Sequence, residues 1–235
     1  RAYYNLAVLY IRVNRAGDAT ALLEQAIQEV PEYGEGYALL ARLKSSDKPQ
    51  ESAQLFSKAL SADPMSAIAN NKNATEALNK KDWGAAILNS RKALVGNPES
   101  VNAYLNMATS YFRQGQYDLA FLVCQSGLRI APDSAALKNL EGLVLLQQDK
   151  VKDALASFRQ AVASDPTFLD AQLNAGALTL NYNDYASALG YFEAVLQQKA
   201  GHKMARLSKG VALRGLERYD EARALFEEMV RENPE

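Results

Sequence analysis

Residues 101–134 read VNAYLNMATSYFRQGQYDLAFLVCQSGLRIAPDS, and the order of small, large and turn-forming side chains in this stretch decides the fold. In its first half Tyr104, Met107, Ala108 and Tyr111 recur at the three-to-four spacing of one helical face. Gln114-Gly115-Gln116-Tyr117 then interrupts the pattern with a residue that tolerates a tight turn. In the second half Ala120, Cys124 and Gly127 stand at i, i+4 and i+7, again one face. Ala131-Pro132 ends the run, because proline lacks the amide hydrogen and biases the residue before it away from the helical region. The stretch predicts helix, turn, helix and stop.

Outward from this stretch the same order recurs. Pro31, Pro64, Pro98, Pro132, Pro166 and Pro234 are separated by 33, 34, 34, 34 and 68 residues, the last gap being two periods. Twelve positions before each expected proline stand Ala19, Ser52, Ala86, Ala120, Ala154, Ala188 and Ala222. Four residues later come Leu23, Phe56, Ser90, Cys124, Phe158, Phe192 and Phe226, and three further on Ala26, Ala59, Ala93, Gly127, Ala161, Val195 and Met229. The first halves repeat the pairs Leu6-Ala7, Leu40-Ala41, Met107-Ala108, Glu141-Gly142, Ala175-Gly176 and Lys209-Gly210, each marking a small residue at a helix crossing. Pro49 alone is out of phase; it falls in the one short unit and is expected to open that unit's second helix, where its missing amide hydrogen costs nothing.

Composition agrees. The 235 residues include 39 Ala and 32 Leu but only 22 Val, Ile and Thr together, which favours helix over strand. With 13 Gly, 7 Pro and no long apolar run, collagen-like, disordered and membrane-spanning readings fail. Twenty-six basic and 27 acidic side chains leave a formal charge of −1 and no block of one sign, so no nucleic acid or anionic membrane is attracted by bulk charge. The chain opens Arg1-Ala2-Tyr3-Tyr4, as a processed or excised piece would, so any export signal is expected to lie outside it.

Two amphipathic helices in every 34 residues, a small residue at their crossing and proline at the end make the chain resemble the tetratricopeptide repeat. The best units are carried by Tyr104, Met107, Ala108, Tyr111, Ala120 and Pro132; by Ala175, Gly176, Ala188 and Phe192; and by Gly210, Ala222, Phe226 and Pro234. Glu141, Ala200, Asn73 and Ser90 depart from the pattern. The resemblance implies an all-α fold, an α-α superhelix built as a right-handed solenoid of seven helix-turn-helix units, filling residues 1–235 as one domain. The repeats fall at approximately 1–33, 34–66, 67–100, 101–134, 135–168, 169–202 and 203–235. A helix pair this short cannot bury its apolar face alone, so neighbours stack on a continuous core. Leucine in place of Gly176 or Ala188 is then expected to overpack that core.

No catalytic residue, metal site or cofactor is expected. Cys124 falls at a packing position, and one cysteine allows no internal disulfide. His202 lies between units six and seven with no Ser, Cys or acidic partner at a recognisable spacing, and reads as a surface histidine. Glu227 and Glu228 beside Arg223 and Arg231 read as a solvated face. Gly34 and Gly36 are placed in the turn before the second unit's first helix, without the strand or lysine of a phosphate loop.

A binding surface remains. The resemblance puts the first helices on the inner, concave face, where the register places Asn71, Thr75, Leu105, Asn106, Thr109, Phe112, Asn139, Leu143, Leu173, Asn174 and Ala177 as a peptide-binding groove. The carboxylate clamp of some repeat cochaperones is not expected, since the matching places hold Asn71, Thr75, Asn106, Ala136 and Leu140 in place of cations. Asn5, Asn71, Asn106, Asn139 and Asn174 supply about one amide per unit, similar to the asparagine ladder of O-linked N-acetylglucosamine transferases. An amide both donates and accepts, so such a row suits either the backbone of an extended peptide or the stacking of neighbouring units. The function expected is a non-catalytic scaffold or adaptor holding an extended segment of a partner protein, within a bacterial multiprotein assembly. The alternative is the recruiting domain of a larger enzyme. Open repeat ends also permit end-to-end self-association. The stretch from Asn70-Asn71-Lys72-Asn73-Ala74 to Leu94 is similar in texture to envelope-associated repeat lipoproteins of gliding and pilus machines, which implies the periplasm; the cytoplasm is the alternative.

Overall fold

The computed structural model describes residues 2–232, so Pro234 and the end of the seventh unit at Glu235 lie outside the described residues. Among the described residues there are fourteen α-helices and no strand. In chain order they are α1 (Ala2–Arg12), α2 (Ala16–Glu29), α3 (Gly34–Leu43), α4 (Pro49–Ala62), α5 (Ala67–Asn79), α6 (Trp83–Gly96) and α7 (Val101–Arg113). There follow α8 (Tyr117–Ile130), α9 (Ala135–Gln147), α10 (Val151–Ser164), α11 (Leu169–Asn181), α12 (Tyr185–Gln198), α13 (Lys203–Gly215) and α14 (Tyr219–Glu232). The chain divides into two compact units, residues 1–116 with α1–α7 and residues 117–235 with α8–α14.

The turns are made by one device. Asn14, Lys81, Asp149, Asn183 and Glu217 have φ of 58–60° and Gly115 has 73°, each just past the first helix of a pair. The next amide reaches back five residues, as in Arg15 N to Tyr10 O (2.8 Å), Asp82 N to Ala77 O (2.8 Å) and Arg218 N to Leu213 O (3.0 Å). A left-handed residue closing the helix in this way satisfies carbonyls that would otherwise be orphaned. The second pair has no left-handed corner; its turn runs into Pro49 in the first turn of α4, as its position suggested. There Lys44 joins Glu24 of α2 (2.6 Å) to Glu51 of α4 (2.5 Å). These hydrogen bonds, Glu24's first, raise the Lys44 pKa.

Helices α4, α6 and α10 stop at an extended residue before proline, with φ near −140° at Asp63, Asn97 and Asp165. Their side-chain Oδ1 atoms accept from the backbone N of Met65 (2.9 Å), Glu99 (3.0 Å) and Thr167 (2.8 Å). Asp or Asn before proline thus turns the chain toward the next helix, which explains why those residue types occupy the place. The second helices α6 and α12 begin on Asp82 and Asp184, which accept from Ala85 N and Ser187 N.

Within residues 1–116, α1 packs on α2, α3 on α4 and α5 on α6, while α1, α3, α5 and α7 touch in succession and form a layer of first helices. Its core is Ala7, Ala19, Leu23, Leu39, Leu40, Ala41, Phe56 and neighbours. Within residues 117–235, α9 packs on α10, α11 on α12 and α13 on α14, and α9, α11 and α13 form the corresponding layer. Phe158, Phe192, Val195 and Leu213 are buried there. The small residues of the first helices lie on the aromatic rings of the second. A Cβ added to Gly142 would sit 2.5 Å from the Phe158 ring, and one added to Gly176 would sit 2.9 Å from that of Phe192.

Two expectations change. Gly34 and Gly36 lie inside α3 and are buried; a Cβ on Gly34 would meet that of Asp63 at 2.9 Å, so close helix packing and not turn formation demands glycine there. His202 is half-buried and begins α13, its Nδ1 accepting from Ala205 N (3.2 Å). Arg223, Glu227, Glu228 and Arg231 are exposed, as expected, with Glu228 paired to Arg206 of α13 (3.2 Å) and Glu227 to Arg223 (3.8 Å). The departures in the repeat pattern also find places. Glu141 is buried and accepts hydrogen bonds from Gln125 and from Ser157 (2.9 Å). Asn73 is half-buried, and Ser90 is buried with its hydroxyl unpartnered.

Candidate interaction surface

The expected groove residues stand on the first helices: Asn71 and Thr75 on α5, Leu105, Asn106, Thr109 and Phe112 on α7, Asn139 and Leu143 on α9, and Leu173, Asn174 and Ala177 on α11. In the first unit the structure brings Asn71, Thr75 and Asn106 together. Asn106 Nδ2 donates to Thr75 Oγ1 (3.3 Å), and Thr75 Oγ1 donates to the Asn71 carbonyl (3.0 Å). Asn71 Nδ2 donates to Ser100 Oγ (2.7 Å), and Ser100 leaves the N-terminus of α7 without a side-chain cap. Leu105, Thr109 and Phe112 are half-buried on α7 and do not line the cavity beside these groups. In the second unit Asn174 Nδ2 donates to Asn139 Oδ1 (2.8 Å). There Leu143 and Leu173 pack partly on the core, and Ala177 is exposed.

The amides therefore bond from one repeat to the next. Each such hydrogen bond stabilises by about 1 kcal/mol, so the stacking role of the asparagines is physically present. One acceptor is left over: Asn71 Oδ1 is shut off from solvent without a partner. Leaving a buried acceptor unsatisfied costs on the order of 1–3 kcal/mol.

Beside these amides lies a cavity of about 400 Å³ lined by Arg42 of α3, Ser45, Phe56 of α4, Ile68, Asn71, Lys72 and Thr75 of α5, and Asn102 and Asn106 of α7. Three successive first helices contribute to it. Lys72 pairs with Glu76 and lies 6.0 Å from the Phe56 ring centroid, whereas Arg42 is exposed and forms no ion pair among the described residues. A second cavity of about 430 Å³ adjoins it, sharing Ser45, Phe56 and Lys72. Arg42, Lys72 and Asn102 were not among the residues expected to bind. The signal for Arg42 lies in the register: it follows Ala41 as Thr75 follows Ala74 and Thr109 follows Ala108.

The other chemistry-bearing groups have packing roles. Cys124 is fully buried, and burial first, then the charge of Glu141, pushes its pKa up to about 12, which makes it a poor nucleophile. Among the described residues no cluster of His, Cys, Asp and Glu is placed to hold a metal, and no helix is long and apolar enough to cross a membrane.

Comparison with known proteins places this geometry. Models of the tetratricopeptide repeat match residues 1–32, 139–201 and 180–235, together more than half of the chain. A model of subunit 3 of the anaphase-promoting complex, or cyclosome, matches residues 79–161. Tetratricopeptide repeat protein 8 of Caenorhabditis elegans is 24% identical over 226 residues, 94% of this chain and 44% of that protein. The chain spans less than half the length of the curated relatives it matches. Among solved structures, PilF of Pseudomonas aeruginosa matches with a TM-score of 0.73 at 20% identity, over 86% of this chain and 92% of that one. YrrB, described as a repeat protein with an unusual peptide-binding site, matches with a TM-score of 0.59 at 24% identity, over 77% and 93%. The expected fold class, all-α and built of helix-turn-helix units, is the one observed, and the chain belongs to the tetratricopeptide-repeat family.

Proposed function

We propose that this chain is a non-catalytic interaction scaffold that holds an extended segment of a partner protein along its first helices, with the repeats carried over as one run of seven. Tetratricopeptide-repeat proteins are mostly interaction scaffolds without catalysis. The observation that carries the reading for this chain is the cavity of about 400 Å³ to which α3, α5 and α7 all contribute, with amides, two hydroxyls and two cations around Phe56 and Ile68. Apolar walls supply contact area, and a few fixed polar groups orient a bound chain. An extended peptide leaves its own amides unpaired, and Asn102, exposed beside the cavity, offers both a donor and an acceptor. Asn139, Leu143, Leu173, Asn174 and Ala177 belong to the same proposal for the second unit. So does a setting in a bacterial assembly of the cell envelope; the likeness to PilF is one of fold.

Site-specific photocrosslinking in the source cell tests this reading. A crosslinker at exposed Thr75 is expected to trap a discrete partner, and one at exposed Leu88 on α6 is expected to trap none. Equal labelling from both positions, or none from Thr75, refutes the groove.

A further inference from the structure

The two adjoining cavities of the first unit differ in charge, and that difference selects an occupant. The cavity at α3, α5 and α7 is lined by Arg42 and Lys72 and by no carboxylate, while its neighbour contains Glu76. Lys72 is already engaged by Glu76. Among the described residues no carboxylate engages Arg42, so an unneutralised guanidinium faces a pocket whose other polar lining consists of Asn71, Asn102, Asn106, Thr75 and Ser45. A guanidinium takes a carboxylate through paired N–H donors, and neutral amides beside it hold the anion without repelling it.

The shape narrows the choice. The two cavities share Ser45, Phe56 and Lys72 as walls and so lie side by side at the cations. A chain terminus would end at Arg42 and leave the second cavity empty, whereas a segment running through fills both. Phe56 and Ile68 then meet an apolar neighbour of the acidic residue.

We propose that the first unit selects an extended partner segment carrying an internal Asp or Glu side chain, received at Arg42 between α3, α5 and α7. This rests on the scaffold reading above and names the chemistry of its partner. The test is selection from a phage-displayed library of random peptides by the whole chain, followed by calorimetry of a selected peptide made with an amidated C-terminus. Selected peptides are expected to be enriched in Asp or Glu next to an apolar residue. Changing that acid to its amide, and Arg42→Gln in the protein, are each expected to weaken binding about tenfold or more, with little further loss when combined. The melting temperature of the variant stays unchanged, because Arg42 is exposed and unpaired. Enrichment of neutral peptides overturns the acidic specificity and leaves the scaffold standing. Binding that demands a free C-terminal carboxylate overturns the through-running segment. Recovery of no peptide above background removes both readings.

Discussion

Cys124 shows how position overrides residue type. Its thiol lies at a packing register, fully buried, and burial carries its pKa from 9.0 to about 12. The folded chain therefore holds the thiol proton over a range in which the unfolded chain has lost it. The corresponding stability is complete below the unfolded pKa and declines as pH rises from about 9 toward 12. Cys124→Ala is expected to flatten that alkaline decline in denaturant titrations. Ellman's reagent is expected to modify native Cys124 at least about a hundredfold more slowly than the unfolded thiol at mildly alkaline pH; comparable rates contradict the burial. The packing role of Cys124 was legible in the sequence because its register matched Phe158 and Phe192. The role of His202 was not, because a helix cap is a relation between its Nδ1 and the Ala205 amide that no periodicity encodes.

At the scale of the helix pair, the pattern of small residues follows from aromatic rings sixteen positions on. Gly142 faces Phe158, Gly176 faces Phe192 and Gly210 faces Phe226, each too closely for a Cβ. Gly176→Leu is expected to lower unfolding free energy by about 1–3 kcal/mol through overpacking, and urea titration reads it. An unchanged midpoint means that α11 and α12 do not meet there. The turns were only partly visible. Gly115 announces a left-handed corner, but Lys81, Asp149 and Glu217 adopt the same φ despite their side chains. There the backward hydrogen bond and helix packing outweigh a local preference of about 1–2 kcal/mol.

Across the whole molecule, burial is uneven. In the first unit α1 buries only Ala7, and in the second α14 buries only Ala222, whereas α3 and α9 bury six and seven residues respectively. Opening a helix with little buried surface costs little, so its amides exchange by local unfolding. Hydrogen exchange is expected to be at least about tenfold faster in α1 and α14 than in α3 and α9; uniform protection would show cooperativity beyond neighbouring helices.

Period, helix content and the places of the small residues were determined by sequence alone, because proline, alanine and glycine act through the backbone and through contacts a fixed number of residues away. The candidate site was legible only in part. The repeat register places Asn71, Thr75 and Asn106 on first helices, but what each amide bonds to depends on distances between helices about thirty residues apart in sequence. Tertiary packing turned those amides toward neighbouring repeats, left Asn71 Oδ1 unpartnered and set Arg42 beside them. Charge and hydrogen bonding act through space, and only folding puts those groups within reach of one another.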